Sequence, residues 1–217
     1  MGNIRLPTWE QFLLNGGQAI GSSGVPLTAM QRRIATELFQ GSLDITRIRT
    51  AHSGIAGIGG TAAMVWGNTI LVNPSLTLEG GLLAHELTHV WQYQTTGGRY
   101  LSDATLHRSY RVPLVAGQSI SAYQPEQQAT IVENYYMAHN ENAFTAQFAQ
   151  DNPDGPAAIA ELDRLIEQVR RRHPMPESII SADLHRAITG ESPNMILPTP
   201  SDLSDRPQPT YQFEFRF

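Results

Sequence analysis

Three residues of the sequence, His85, Glu86 and His89, have the types and the spacing required for metal-assisted hydrolysis. On an α-helix, residues four positions apart lie on one face about one turn from each other, so both imidazoles can bind one metal ion. A carboxylate beside such a pair can take a proton from water and pass it to a leaving group. The pattern therefore predicts a Zn²⁺ site with His85 and His89 as ligands and Glu86 as the catalytic base.

The residues around this motif favour a buried helix. Apolar side chains occupy its other faces, namely Leu82, Leu83, Leu87, Val90 and Trp91. Buried His and Glu side chains need partners, and a metal ion meets that need. The alternative is a chance match among polar residues on a solvated helix face, and it would leave the apolar surroundings unexplained.

A catalytic zinc also needs a third protein ligand and an open position for water. Because the chain has no Cys, this ligand must be a His or a carboxylate. The longer metzincin motif is excluded, since it requires Gly and His where this chain has Gln92 and Thr95. Glu126 and Glu133 remain, one to bind the metal and the other to accept a hydrogen bond from a ligand His. Further candidates for these two roles are Asp103, His107 and His139. The candidate hydrogen-bond donors that could stabilise a transition state are Tyr123, Tyr135 and Tyr136.

Helices are predicted on both sides of the motif. A capping box at residues 28–31 begins a helix that places Met30, Ile34 and Leu38 on one face and ends near Gly41. The motif helix should end near Gln94, before a Thr-Thr-Gly-Gly stop signal. Further helices are predicted near residues 8–11, 102–109, 125–148, 156–172 and 181–188.

A β-hairpin is predicted just before the motif helix. Two β-prone runs, residues 63–66 and 69–72, flank a Gly67-Asn68 pair that suits a two-residue turn. Its free edge could bind an extended peptide along the rim of the metal site. The equally open alternative is a hairpin that only contributes to the core. Residues 44–49 are predicted to form a short strand or a turn.

Length and patterning indicate one α+β domain at residues 1–190, with a small sheet on the motif helix and a mostly helical C-terminal half. A Pro-rich arm should follow at residues 191–217. It ends in aromatic residues at strand spacing, which predict pairing with a sheet edge of this chain or of a partner: Tyr211, Phe213, Phe215 and Phe217.

Charge and hydropathy exclude several functions. The formal net charge is −5, all 15 basic residues are Arg, and none of the faces resembles a phosphate-binding stripe. Nucleic acid is therefore not an expected partner. The sequence has neither a signal-peptide pattern nor an apolar run long enough to span a bilayer, so we expect cytoplasmic synthesis.

Residues 82–92, Leu-Leu-Ala-His-Glu-Leu-Thr-His-Val-Trp-Gln, resemble a zincin-like domain of unknown function found in bacterial contractile-injection and Vgr- or Rhs-associated proteins. The resemblance extends over roughly residues 26–136. It includes the segments 26–28, 43–49, 65–70 and 125–129.

This resemblance implies a gluzincin-type fold with His85 and His89 as metal ligands, Glu86 as the base and Glu126 as the third ligand. The chain departs from the thermolysin-like Glu-x-x-x-Asp pattern at one position, where it has Thr130 instead of Asp. The implied function is zinc-dependent hydrolysis of a peptide or protein substrate by an effector exported through a contractile injection system. An apparatus component or an immunity protein would then be a partner. The alternative is a zinc-stabilised cargo or adaptor module without turnover.

Overall fold

A small sheet and five α-helices form the described part of the chain, which in a computed structural model comprises residues 24–54, 56, 62–97, 109–176 and 179–180. The strands are β1 (Val25–Pro26), β2 (Arg49–His52), β3 (Ala63–Trp66) and β4 (Thr69–Val72). The helices are α1 (Ala29–Phe39), α2 (Gly80–Thr96), α3 (Pro125–Asn140), α4 (Ala146–Asp151) and α5 (Gly155–Arg170). Short 3₁₀ turns occur at Gln40–Ser42, Ile45–Arg47 and Ile120–Ala122. The predicted α+β class and the mostly helical second half are confirmed.

The four strands have the order β1-β2-β4-β3. β2 pairs with β4 in parallel, and β3 pairs with β4 antiparallel through the predicted Gly67-Asn68 turn. Gly67 has a φ of +61°, a conformation that glycine adopts without steric cost. Within the described residues β3 pairs with β4 alone, so it forms one edge of this sheet.

Helix α1 begins with the predicted capping box, in which the Thr28 side chain accepts the N–H of Gln31. Ile34 and Leu38 are buried, but Met30 is 64% exposed and does not share their face as predicted. The buried face is centred between Ala35 and Leu38. At 3.6 residues per turn, Met30 lies about 110° from that centre.

Helix α2 extends two residues beyond the predicted end, to Thr96. The hydroxyl groups of Thr95 and Thr96 donate to the carbonyls of Trp91 and Gln92, so both threonines remain helical. The chain leaves the helix at Gly97, whose φ is +68°. Within the Thr-Thr-Gly-Gly sequence, the first glycine therefore ends the helix, and the two threonines still belong to it.

The single helix predicted over residues 125–148 is wrong, because α3 ends at Asn140 and α4 starts at Ala146. Asn142 between them has a φ of +51°, which interrupts the helical backbone. The buried Asn134 side chain accepts the N–H of Thr145, and the Thr145 side chain caps α4. A polar contact between α3 and the residue that caps α4 therefore stabilises the break.

Helix α5 agrees with its prediction, with Leu162, Leu165, Ile166 and Val169 buried and Ile159 half-buried. The core joins α1, α2, α3 and α5 with one face of the sheet. In the described ranges none of the helices has both the length and the apolar composition needed to cross a membrane. The predictions for residues 8–11, 181–190 and 191–217 lie outside the described residues, as does all but the last residue of the helix predicted at 102–109.

Candidate metal centre

Helix α2 places His85 and His89 one turn apart on a buried face. Their relative exposures are 3% and 5%, and their ring centroids lie 4.9 Å apart at an interplanar angle of 78°. The other faces of this helix are covered by fully buried residues: Leu83, Ala84, Leu87, Val90 and Trp91. Two imidazoles buried in such surroundings require polar partners.

Helix α3 supplies those partners. It runs antiparallel to α2, because Gly81 near the start of α2 meets Met137 whereas His89 meets Glu126 near the start of α3. Oε2 of Glu126 lies 3.3 Å from Nε2 of His85 and 3.4 Å from Nε2 of His89. The three residues offer one donor atom each within 4.8 Å of one another, a set that could hold a metal ion.

The spacing of these donors fits a metal ion. Around a tetrahedral ion with bonds of about 2.0–2.1 Å, neighbouring donor atoms are about 3.3–3.4 Å apart. The two N···O distances, 3.3 and 3.4 Å, match this value. A direct hydrogen bond between a charged imidazole and a carboxylate is shorter, about 2.7–2.9 Å.

The remaining imidazole nitrogens also have partners. Nδ1 of His85 lies 3.1 Å from Oε2 of Glu133, and Nδ1 of His89 lies 2.9 Å from Oε1 of Gln92. Each Nδ1–H can donate to its oxygen, which leaves a lone pair on each Nε2 directed toward Glu126. Metal-bound histidines are held in this way in general. Glu126 and Glu133, two turns apart on α3, thus contact opposite nitrogens of the same His85 ring.

Glu86 lies in the same buried region with a relative exposure of 5%. Within the described part of the chain its Oε2 atom has no hydrogen-bond partner. Burial raises the pKa of the Glu86 carboxyl, and the nearby His89 and His85 oppose that rise. A buried carboxylate oxygen without a protein partner is available to accept a proton from a bound water.

The cluster is electrostatically coupled without a metal ion. Burial acts to lower the pKa of His85, but Glu126 and Glu133 raise it well above its usual value. Burial likewise opposes the raised pKa of His89, which Glu126 maintains. Burial acts to raise the pKa of Glu126, yet His89 and His85 hold it far below its usual range. A metal ion that binds here must therefore displace protons from the imidazoles.

The contact between Gln92 and His89 was not predicted from the sequence. A residue three positions after a helical ligand lies on the same face, so the spacing alone could have suggested it. Thr130, which stands where the thermolysin-like pattern has Asp, donates its hydroxyl to the Glu126 carbonyl within α3. The charged acceptor for His85 is instead Glu133.

The predicted tyrosine donors make other contacts. The Tyr123 hydroxyl accepts the N–H of Val115, and the Tyr135 ring packs against His139. Tyr136 is partly buried against the hydrophobic core, and this burial raises its pKa. Tyr110, which the sequence analysis did not select, lies over the His85 ring at 6.2 Å between centroids. It follows a segment without periodic pattern, so no sequence signal marked it. Among the other candidates, His139 pairs with Asp163 at 2.8 Å, and Asp103 and His107 lie outside the described residues.

Comparison with known proteins gives one similar structure. No protein-family model and no curated protein matches the sequence. The effector domain of Pseudomonas aeruginosa VgrG2b is similar, with 25% sequence identity and a TM-score of 0.48 over 66% of this chain and 93% of that chain.

Proposed function

We propose that the chain is a zinc-dependent peptidase in which His85, His89 and Glu126 hold Zn²⁺. The observation that supports this most is the convergence of the two Nε2 atoms on one Glu126 oxygen, at 3.3 and 3.4 Å. Both Nδ1 atoms are already engaged by Glu133 and Gln92. Two nitrogens and a carboxylate oxygen are donors typical of catalytic zinc, which keeps a fourth position open.

The proposed chemistry is hydrolysis of a peptide bond. Bound zinc would supply Lewis-acid chemistry, polarising the scissile carbonyl and acidifying a water molecule. Glu86 takes a proton from water as the water oxygen forms the new C–O bond to the carbonyl carbon, and it then gives this proton to the nitrogen, so that the C–N bond breaks and the amine leaves. The Oε2 atom of Glu86, which has no hydrogen-bond partner among the described residues, supports this role, since a base needs an available oxygen to accept the proton.

The substrate proposal concerns strand β3. β3 packs against α2 and, in the part of the chain that the structure describes, has one edge without a paired strand. An extended peptide could add to such an edge through main-chain hydrogen bonds. We therefore propose a peptide or protein substrate bound in an extended conformation along β3.

A gluzincin-type fold and a role as an effector of an injection apparatus are part of the proposal, and they rest on the sequence resemblance of residues 26–136. The contact between Glu133 and His85 supports the fold assignment, because it provides the charged acceptor that Thr130 cannot. An apparatus component or an immunity protein would be the partner of such an effector.

The test is cleavage of a broad peptide library by the full chain, loaded with zinc or treated with chelator. Glu86→Gln should keep about one zinc per chain and lose cleavage, because the ligands are intact and only the proton acceptor is removed. Glu141→Gln controls for the loss of a negative charge, since this exposed carboxylate follows α3 and, in the described residues, contacts neither His85 nor His89. It should cleave like the parent.

Cleavage by Glu86→Gln at the parent rate would exclude Glu86 as the base. Zinc binding by a parent that cleaves nothing in the library would favour the adaptor function. Failure of the parent to bind zinc would overturn the proposed site itself.

A further inference from the structure

Gln92 connects the metal site to the start of α3. It is 4% exposed, and its Oε1 accepts from Nδ1 of His89 at 2.9 Å. Its Nε2 donates to the carbonyl of Pro125 at 2.8 Å and to Oε1 of Gln128 at 3.1 Å. One buried amide therefore contacts a proposed ligand, the residue before Glu126, and a second glutamine.

The orientation of the Gln92 amide is fixed by the Pro125 carbonyl. A backbone carbonyl only accepts hydrogen bonds, so the group facing it must be the NH₂ of Gln92. The Oε1 atom must then face His89. An acceptor at this position requires the hydrogen of the neutral imidazole to be on Nδ1, which places the lone pair on Nε2.

Gln128 favours the same orientation of the Gln92 amide. Its Nε2 donates to the carbonyl of Tyr123 at 2.8 Å, so its Oε1 is turned toward Gln92. The hydrogen bonds thus run in one direction, from His89 to Gln92, to Gln128 and to Tyr123. Two backbone carbonyls, of Tyr123 and Pro125, set the direction of the series.

We infer that Gln92 is a positioning residue that sets the tautomer and ring orientation of His89 for metal binding. The inference rests on the proposed zinc site and extends it. His85 is held by a carboxylate from α3, whereas His89 is held by a neutral amide from its own helix. Because the same amide bonds Pro125, the orientation of His89 is coupled to the position of Glu126.

Three variants of the full chain test whether Gln92 positions His89 or only connects α2 to α3. Gln92→Leu removes the acceptor and both donors at similar volume. Gln92→Glu keeps an oxygen toward His89 but cannot donate to Pro125 or Gln128. Gln94→Leu is the matched control, because Gln94 is also a buried glutamine of α2 but bonds Asp44 and Asn68 instead of a histidine.

Zinc affinity by chelator competition is the first measurement. Gln92→Leu should bind zinc about ten- to a hundredfold more weakly, the usual loss for a partner of a ligand histidine. Gln92→Glu should lose less, and Gln94→Leu should match the parent. Equal losses in Gln92→Leu and Gln92→Glu would mean that Gln92 only ties α2 to α3, and unchanged affinity in both would also overturn the inference.

The second measurement is the imidazole N–H signals of the zinc-loaded proteins by ¹⁵N NMR. The parent should show two protected Nδ1–H protons, one for His85 and one for His89. Gln92→Leu should lose or shift the His89 signal alone, with His85 as the internal control, whereas general unfolding would affect both. An unchanged His89 signal would refute the inference, while a parent without zinc affinity would refute the proposed site.

Discussion

Glu126→Ala should weaken zinc binding more than Glu133→Ala does. The two glutamates lie on the same face of α3, and both contact His85, but they contact different nitrogens. Glu126 is 3.3 Å from Nε2, on the side where the His89 nitrogen also converges. Glu133 is 3.1 Å from Nδ1, on the opposite side of the ring. The first variant removes a metal donor, and the second removes only the acceptor that orients His85.

The size of the difference follows from these two contacts. Loss of a histidine's outer partner typically costs tenfold to a hundredfold in metal affinity, or about 1.4–2.7 kcal/mol. Glu133→Ala should fall within this range. Glu126→Ala leaves two imidazoles as the only protein donors in the cluster and should exceed the range, with a loss greater than about a hundredfold.

Chelator competition at fixed pH and ionic strength gives both affinities. Glu141→Ala controls for the removal of a negative charge, since Glu141 lies at the end of α3 and is not among the groups that raise the pKa of His85 or His89. It should bind zinc nearly as the parent does. The assignment of Glu126 as ligand fails if Glu133→Ala is the weaker binder, or if Glu126→Ala differs little from the Glu141 control.

Three further predictions concern stability. Because the pKa values of His85 and His89 are raised in the folded state, both groups stabilise the metal-free protein below pH 6.5, and this stabilisation is lost as the pH rises. Because the pKa of Glu126 is lowered, its carboxylate stabilises the metal-free protein above pH 4.5. Zinc should therefore raise the melting temperature more at about pH 8 than at about pH 5, and a constant difference would contradict this coupling. Gly81→Ala should lower the free energy of unfolding in urea by about 1–3 kcal/mol, because the added Cβ would lie 3.1 Å from Sδ of Met137. Gly41→Ala is the control and should leave this free energy unchanged, because a Cβ at position 41 meets nothing within 4 Å. Asn134→Ala should lower the free energy of unfolding by about 1–3 kcal/mol in the same assay, because the N–H of Thr145 loses its partner. Asn140→Ala is the exposed control. If Asn134→Ala lowers the free energy of unfolding less than this control does, the explanation of the α3–α4 break is wrong.

The sequence predicted those parts of the structure that depend on local spacing. The separation of four residues places His85 and His89 on one face wherever they are helical, and the apolar residues around them require burial of that helix. Gly67-Asn68 specifies a tight hairpin through backbone preference alone. For the same reason the capping box at Thr28 correctly marked the start of α1.

The parts that could not be predicted depend on contacts between distant segments. Nothing near Asn142 in the sequence indicates that Asn134, more than two turns earlier in α3, will bond the N–H of Thr145. Tyr110 lies over His85 only because its coil segment packs there. The sequence predicted Glu126 as the third donor and Glu133 as the partner of a ligand His, but the nitrogen that each one meets depends on the antiparallel packing of α2 on α3.

The buried charges favour the proposed enzyme over the adaptor alternative. Of the three carboxylates buried around the histidines, Glu126 and Glu133 contact imidazole nitrogens, and either contact would also serve a structural zinc site. Glu86 makes no such hydrogen bond through its Oε2 atom in the described residues, and its burial is unfavourable for folding. A module that needed zinc only for stability would gain from an apolar residue at this position. A buried carboxylate that weakens the fold but can accept a proton beside the metal is what a hydrolytic site requires.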